Sequence, residues 1–138
     1  LSAADGGARH QACDAADHHV VAVVQAAPFE QQGLLAMAEA FRNSVPGLKG
    51  RALTGPVEYE QIPELAARGR QRVLDFMARL DERLGEFEFV AGATYSVADI
   101  TALVFVDFAR RGKVTPAADL PNLERWHASV SSRPSAAA

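Results

Sequence analysis

Between Pro63 and about Leu84, the residues Leu65, Ala66, Val73, Phe76, Met77, Leu80 and Leu84 fall at helical spacing. Arg68, Arg70, Arg72, Arg79, Asp81, Glu82 and Arg83 mostly take the other positions. This pattern predicts an amphipathic helix whose charged run is a solvated face. Gly69 weakens that helix by about 1 kcal/mol relative to Ala, unless a neighbouring helix needs close approach there. A second pattern runs through Tyr95-Ser-Val-Ala-Asp-Ile-Thr-Ala-Leu-Val-Phe-Val-Asp-Phe108. Ser96 with Asp99 three residues on, ahead of an apolar run, has the form of a capping box: the hydroxyl accepts from the amide of Asp99, and the carboxylate reaches back to the amide of Ser96. Tyr95 and Ile100 are placed to pack as a hydrophobic staple. Beyond the cap, Val97, Ile100, Leu103, Val104, Phe105 and Phe108 leave almost no polar face except Thr101 and Asp107. A helix apolar nearly all round belongs in the middle of a domain. It is expected to run to about Arg111 and to stop at Gly112, with Arg110, Arg111 and Lys113 complementing its C-terminal end.

The remaining stretches are read from their breakers. Leu1 to Ala8 is a flexible lead-in rich in small residues. Ala8 to Ala27 lacks Gly and Pro and reads as a helix, although Val20, Val21, Val23 and Val24 would serve a strand equally. Pro28 ends or kinks it. Phe29 to Ser44 then carries Phe29, Leu34, Met37, Ala38 and Phe41 along one stripe. Asn43 to Pro63 holds three prolines and three glycines and reads as a long loop with one turn. Pro121 opens the last helix, with Leu123, Trp126 and Val130 inward, and Arg133-Pro134 ends it. The tail from Ser135 to Ala138 is expected to be disordered. The predicted fold is therefore all-α: a bundle of about five helices around a central buried helix at about residues 96–111.

The same residues carry a family resemblance. Val90-Ala91-Gly92 followed by Ser96-Val97-Ala98-Asp99-Ile100 resembles the segment that caps the central helix in the C-terminal domain of glutathione transferases. Pro121-x-Leu123-x-x-Trp126, then Ser132-Arg133-Pro134, is similar to that family's last helix and its ending. The resemblance extends back to about Glu30 and implies one helical domain over residues 9–134. In that family, the glutathione site, the activating Ser, Tyr or Cys and a cis-proline lie on an N-terminal thioredoxin-like domain, which this sequence does not contain. The resemblance thus implies no catalytic residue and no cofactor in this chain, glutathione being the co-substrate of the full-length protein. The helical domain supplies an apolar pocket for a small hydrophobic electrophile and part of a homodimer interface. Carried over by motif, Gln31, Leu35 and Phe108 are the candidate pocket residues, and Ser96 and Asp99 the structural cap. Before Glu30 the chain has valines, histidines and Pro28 where relatives have a longer amphipathic helix, which puts dimerisation through that surface in doubt.

Composition narrows the alternatives. The 138 residues suffice for one domain and one core. With 49% hydrophobic and 22% charged residues, the chain has the balance of a folded soluble domain. A net charge of −3 gives no reason to expect nucleic acid or an anionic membrane as partner, since both would favour a basic face. No apolar run approaches the roughly 18 residues of a membrane span. A single cysteine, Cys13, excludes an internal disulfide and fits a reducing cytoplasm. The chain opens on Leu1, as a fragment or processed product would.

Candidate chemistry is sparse. If Ala8 to Ala27 is helical, His10, Cys13, Asp14, Asp17 and His18 share a face that could hold a divalent ion, but their spacing matches no zinc pattern, and an exposed polar face accounts for them as well. His127 reads as a packing or surface histidine. Gly47, Gly50 and Gly55 precede no Lys-Ser or Lys-Thr pair, so there is no phosphate loop. Two functions compete: the helical half of a glutathione transferase, and a stand-alone helical domain for protein association. A metal-binding helical protein is a third reading.

Overall fold

The computed structural model describes residues 29–136, so the lead-in, the Ala8 to Ala27 segment and its His10, Cys13 and His18 lie outside the described residues. A π-helical segment, Phe29–Leu34, runs directly into α1, Leu35–Arg42. Then come α2, Pro63–Glu86, α3, Val97–Arg111, and α4, Pro121–Ser131, with short 3₁₀ turns at Pro46–Leu48 and Pro134–Ala136. Among the described residues the only β pairing is two isolated bridges, Arg51 with Tyr59 and Phe89 with Gly92. The all-α architecture is as the sequence predicts. Both α2 and α4 start on a proline, whose missing amide would have had no partner in the first turn.

Packing explains two glycines. A Cβ at Gly69 would sit 2.7 Å from both the carbonyl oxygen of Ala36 and the amide nitrogen of Ala40, so α1 and α2 cross there backbone to backbone. A Cβ at Gly33 would come within 2.9 Å of the Phe105 ring, which itself meets Phe76 edge-on at 5.4 Å. The core around these crossings is formed by Met37, Val73, Met77, Leu84, Phe105, Leu123 and Trp126, all buried.

Three expectations need correction. First, α3 is central on one side only. It buries Ala98, Ala102, Phe105, Val106 and Ala109, but Val97, Ile100 and Val104 stay 42%, 49% and 55% exposed. The small alanines let the other helices close on one face and leave the branched residues outside. Second, α3 does stop at Gly112, but not through a left-handed glycine. Gly112 has φ −75°, and the left-handed position falls to Lys113 at φ 58°. The amide of Val114 donates to Ala109 O at 2.9 Å and that of Lys113 to Arg110 O at 3.0 Å, the Schellman pattern. A Cβ at 112 would displace Met37 Cε, the movable end of a flexible side chain. Third, the charged run of α2 is more than a solvated face. Asp81 accepts from the amide of Leu123 at 2.8 Å and from Asn122 Nδ2 at 3.3 Å. It thereby caps α4, which has no cap of its own.

The connector between α1 and α2 is tied down by side chains. Gln61 Nε2 donates to the carbonyls of Arg42 and Val45 at 2.9 and 2.7 Å, and Asn43 Oδ1 accepts from the amide of Ile62 at 3.0 Å. These bonds hold together the two ends of the loop.

Candidate functional site

The site is built around the start of α3. Ser96 is extended, at φ −148°, and its Oγ accepts from the amide of Ala98 at 3.3 Å. Asp99 Oδ2 accepts from the amide of Ser96 at 2.9 Å, completing a capping box. The other carboxylate oxygen turns inward, accepting from the amide of Val90 at 3.0 Å and from Trp126 Nε1 at 2.8 Å. Asp99 is wholly buried, and these donors replace the water it has given up. One carboxylate thus joins the turn before α3, the cap of α3 and the middle of α4. The short Ser96-to-Asp99 spacing is legible in sequence, whereas Val90 and Trp126 carry no local signal as partners.

Tyr95 packs edge-on against Phe89 at 6.1 Å, with the Arg133 guanidinium 3.9 Å over its ring. Ile100, its expected staple partner, is half exposed. Together with Val97 and Val104, Ile100 forms an apolar stripe along the outer side of α3, at the i, i+3, i+7 spacing of one helical face.

The candidate pocket residues lie on the π segment, α1 and α3. Gln31 is exposed in the π segment, its carbonyl accepting from Arg72 at 3.3 Å. Leu35, the first residue of α1, is 61% exposed. Phe108 is half-buried, its ring 5.8 Å from that of Phe41. Three cavities among residues 29–136 have linings that include none of the three. Those cavities lie at the α1–α3 end by Met37 and Val114 (about 240 Å³), at the start of α4 by Pro116 and Glu124 (about 460 Å³), and under the connector by Leu53, Tyr59 and Leu65 (about 290 Å³).

The titratable groups are mostly engaged in structure. His127 Nε2 is 2.7 Å from Asp107 Oδ1, while its Nδ1 faces Arg110 Nη1 at 3.4 Å, and Arg110 continues to Glu124 at 2.7 Å. A guanidinium can only donate, so Nδ1 accepts and Nε2–H donates to Asp107. Both ring nitrogens are occupied, and the histidine bridges α3 and α4 with no lone pair free to act as a base. Glu39, on α1, binds Arg68 and Arg72 of α2. The hydrogen bond from Arg68 outweighs the effect of burial and holds the Glu39 carboxyl below the ordinary carboxylate value. Among the described residues no three His, Cys, Asp or Glu side chains converge as a metal site, and no helix is long and apolar enough to cross a membrane.

Comparison with known proteins bears on this arrangement. The sequence profile of the glutathione S-transferase C-terminal domain matches residues 51–134. Glutathione S-transferase 2 of Saccharomyces cerevisiae is 34% identical over 96 residues, which is 69% of this chain and 39% of that relative. The crystal structure of a glutathione S-transferase domain-containing protein from Marinobacter aquaeolei VT8 superposes with a TM-score of 0.74 at 31% identity, over 87% of this chain and 56% of that one. Gtt2 of Saccharomyces cerevisiae gives a TM-score of 0.73 at 30% identity, over 85% and 54% respectively. The chain therefore spans about half the length of its solved relatives, and less of the curated one.

Proposed function

The chain belongs to the glutathione S-transferase family, as a C-terminal helical domain, and we propose that it walls the hydrophobic co-substrate pocket for glutathione conjugation when joined to an N-terminal thioredoxin-like domain. The observation that carries this reading is the exposed Val97, Ile100 and Val104 stripe on α3. Apolar residues aligned on the outer face of a domain's central helix are what a second domain or a hydrophobic ligand would cover. The reaction adds the glutathione thiolate to an electrophilic carbon, with the N-terminal domain holding and ionising the thiol. The part of this chain is to bind the electrophile's apolar body and to exclude water from the thiolate. Gln31 and Leu35 have the exposure a pocket lining requires. Phe108 would contribute only the part of its ring not packed on Phe41. A cytoplasmic setting belongs to the same proposal, since the reaction draws on reduced glutathione, and so does a homodimer.

The test is to fuse the chain behind the thioredoxin-like domain of a glutathione transferase relative. The fusion is expected to be retained on immobilised glutathione and to conjugate a model chloronitroarene, whereas the 138-residue chain alone does neither. Ile100→Lys with Val104→Lys should lower conjugation by the fusion while leaving the thermal midpoint of the isolated chain unchanged, because both side chains are already solvated. Retention of the isolated chain on glutathione would overturn the reading. A second reading, a helical interaction domain without catalysis, draws on the exposed Leu53, Val57, Tyr59 and Ile62 of the connector. It gains if the fusion binds glutathione but conjugates nothing.

A further inference from the structure

At the C-terminal end of α3, about 21 Å along the helix from the capping box at 1.5 Å per residue, lies a cavity of about 240 Å³ with a different chemistry. Arg70 from α2, and Arg111 and Lys113 from the end of α3, stand on its wall, with Met37, Phe41 and Val114 forming its apolar part. No acidic side chain lines it. Among the described residues, the side chains of Arg70, Arg111 and Lys113 have no hydrogen-bond or ion-pair partner. Elsewhere, Glu39 takes Arg68 and Arg72, and Glu124 takes Arg110. Three like charges gathered without a counter-charge, in a chain whose net charge is −3, repel one another.

The end of a helix favours cations, which accounts for Arg111 and Lys113. It does not account for Arg70, which comes from a different helix. Lys113 also holds the left-handed position that glycine ordinarily fills.

We infer that this cavity binds a small organic anion, its carboxylate held by Arg70, Arg111 and Lys113 and its apolar body seated against Met37, Phe41 and Val114. The cavity is smaller than the roughly 300–1,000 Å³ pockets that bury drug-sized ligands, so the body is limited to about one ring or a short chain. Guanidinium groups suit a carboxylate because their planar N–H pairs match its two oxygens. The site is separate from the outer stripe of α3 and does not rest on the conjugation reading.

The test uses the 138-residue chain and two probes of one shape, 4-phenylbutyrate and the neutral 4-phenylbutanol, followed by NMR titration of amide resonances. The expected result is that the carboxylate shifts amides at residues 41–45 and 111–114, that added salt weakens it, and that the alcohol binds at least about tenfold more weakly. Arg70→Gln with Arg111→Gln should weaken the carboxylate by at least about tenfold, the amount expected for losing charge-assisted hydrogen bonds. Lys113→Gly should weaken it too, while raising the thermal midpoint by relieving the backbone, which separates lost binding from lost folding. Equal binding of the alcohol, an affinity unchanged by the arginine substitutions, shifts confined to residues 97–104, or no shift with either probe would each overturn the proposal.

Discussion

The indole nitrogen of Trp126 donates to Asp99 Oδ1 at 2.8 Å, joining two fully buried residues that lie 27 positions apart in the chain. That bond makes Asp99 more than a helix cap. Removing the carboxylate strands the buried indole N–H and the buried amide of Val90, and frees the part-buried amide of Ser96. A cap alone contributes about 0.5 to 2 kcal/mol. Leaving a buried donor unsatisfied costs about 1 to 3 kcal/mol for each such group, and Val90 and Trp126 each supply one. Asp99→Ala is therefore expected to cost more than the cap value, measured by urea denaturation, and a loss confined to the cap value would mean that Trp126 finds another acceptor. Trp126→Phe, which removes one donor and leaves the cap intact, should retain normal entry into α3 despite its own packing loss.

Gly69→Ala sets helix propensity against packing. Propensity favours the alanine by about 1 kcal/mol. The added methyl would lie 2.7 Å from backbone atoms of Ala36 and Ala40, which cannot rotate away as a side chain could. Overpacking of this kind costs about 1 to 3 kcal/mol, so a net loss of stability is expected. Thermal melting checks the sign: a raised midpoint would mean that α1 and α2 are not in contact at this crossing.

Lys113 and Gly112 should respond in opposite directions. Lys113→Gly is expected to stabilise by about 0.5 to 1 kcal/mol, because the left-handed conformation costs a lysine about 1 to 2 kcal/mol and a glycine almost nothing, less the glycine's greater chain entropy. Gly112→Ala is expected to destabilise mildly, since its methyl requires Met37 Cε, the end of a flexible side chain, to shift. Trimming that neighbour with Met37→Ala in the same chain should recover part of the loss, and a double-mutant cycle read by denaturant midpoints measures the coupling.

Glu39 gives a pH dependence of fixed sign. Its folded carboxyl titrates below the ordinary value of 4.5, held there chiefly by the hydrogen bond from Arg68. Below 4.5 the unfolded chain therefore binds more protons than the folded one, and stability rises with pH across that window. The contribution of Glu39 is present in full above the ordinary carboxylate value and is lost as pH falls through the lowered one. The difference in midpoint between the native chain and Glu39→Gln should accordingly be constant near neutrality and shrink on acidification. A difference that grew as pH fell would reverse the assignment.

Much of the fold is legible along the chain because its signals are local. The stripe of α2, the prolines opening α2 and α4, and the Ser96 and Asp99 pair each lie within a few turns, and hydrogen-bond geometry and helical periodicity act over that range. The connector's prolines and glycines likewise announce a loop, though not that Gln61 ties its ends together. For the candidate pocket, the sequence resemblance named Gln31, Leu35 and Phe108, of which the first two are exposed and Phe108 is half-buried against Phe41.

By itself, then, the sequence determined the helices from α1 to α4, the cap of α3 and the family to which they belong. Only the tertiary structure decided that Asp81 caps a helix other than its own, that Lys113 and not Gly112 turns left-handed, and which side of α3 is covered. The physical reason is reach. A helix records in its sequence which residues are apolar, but which of them lose contact with water depends on where other helices can approach, and here the alanines of α3 and the glycines at 33, 69 and 112 set those approaches.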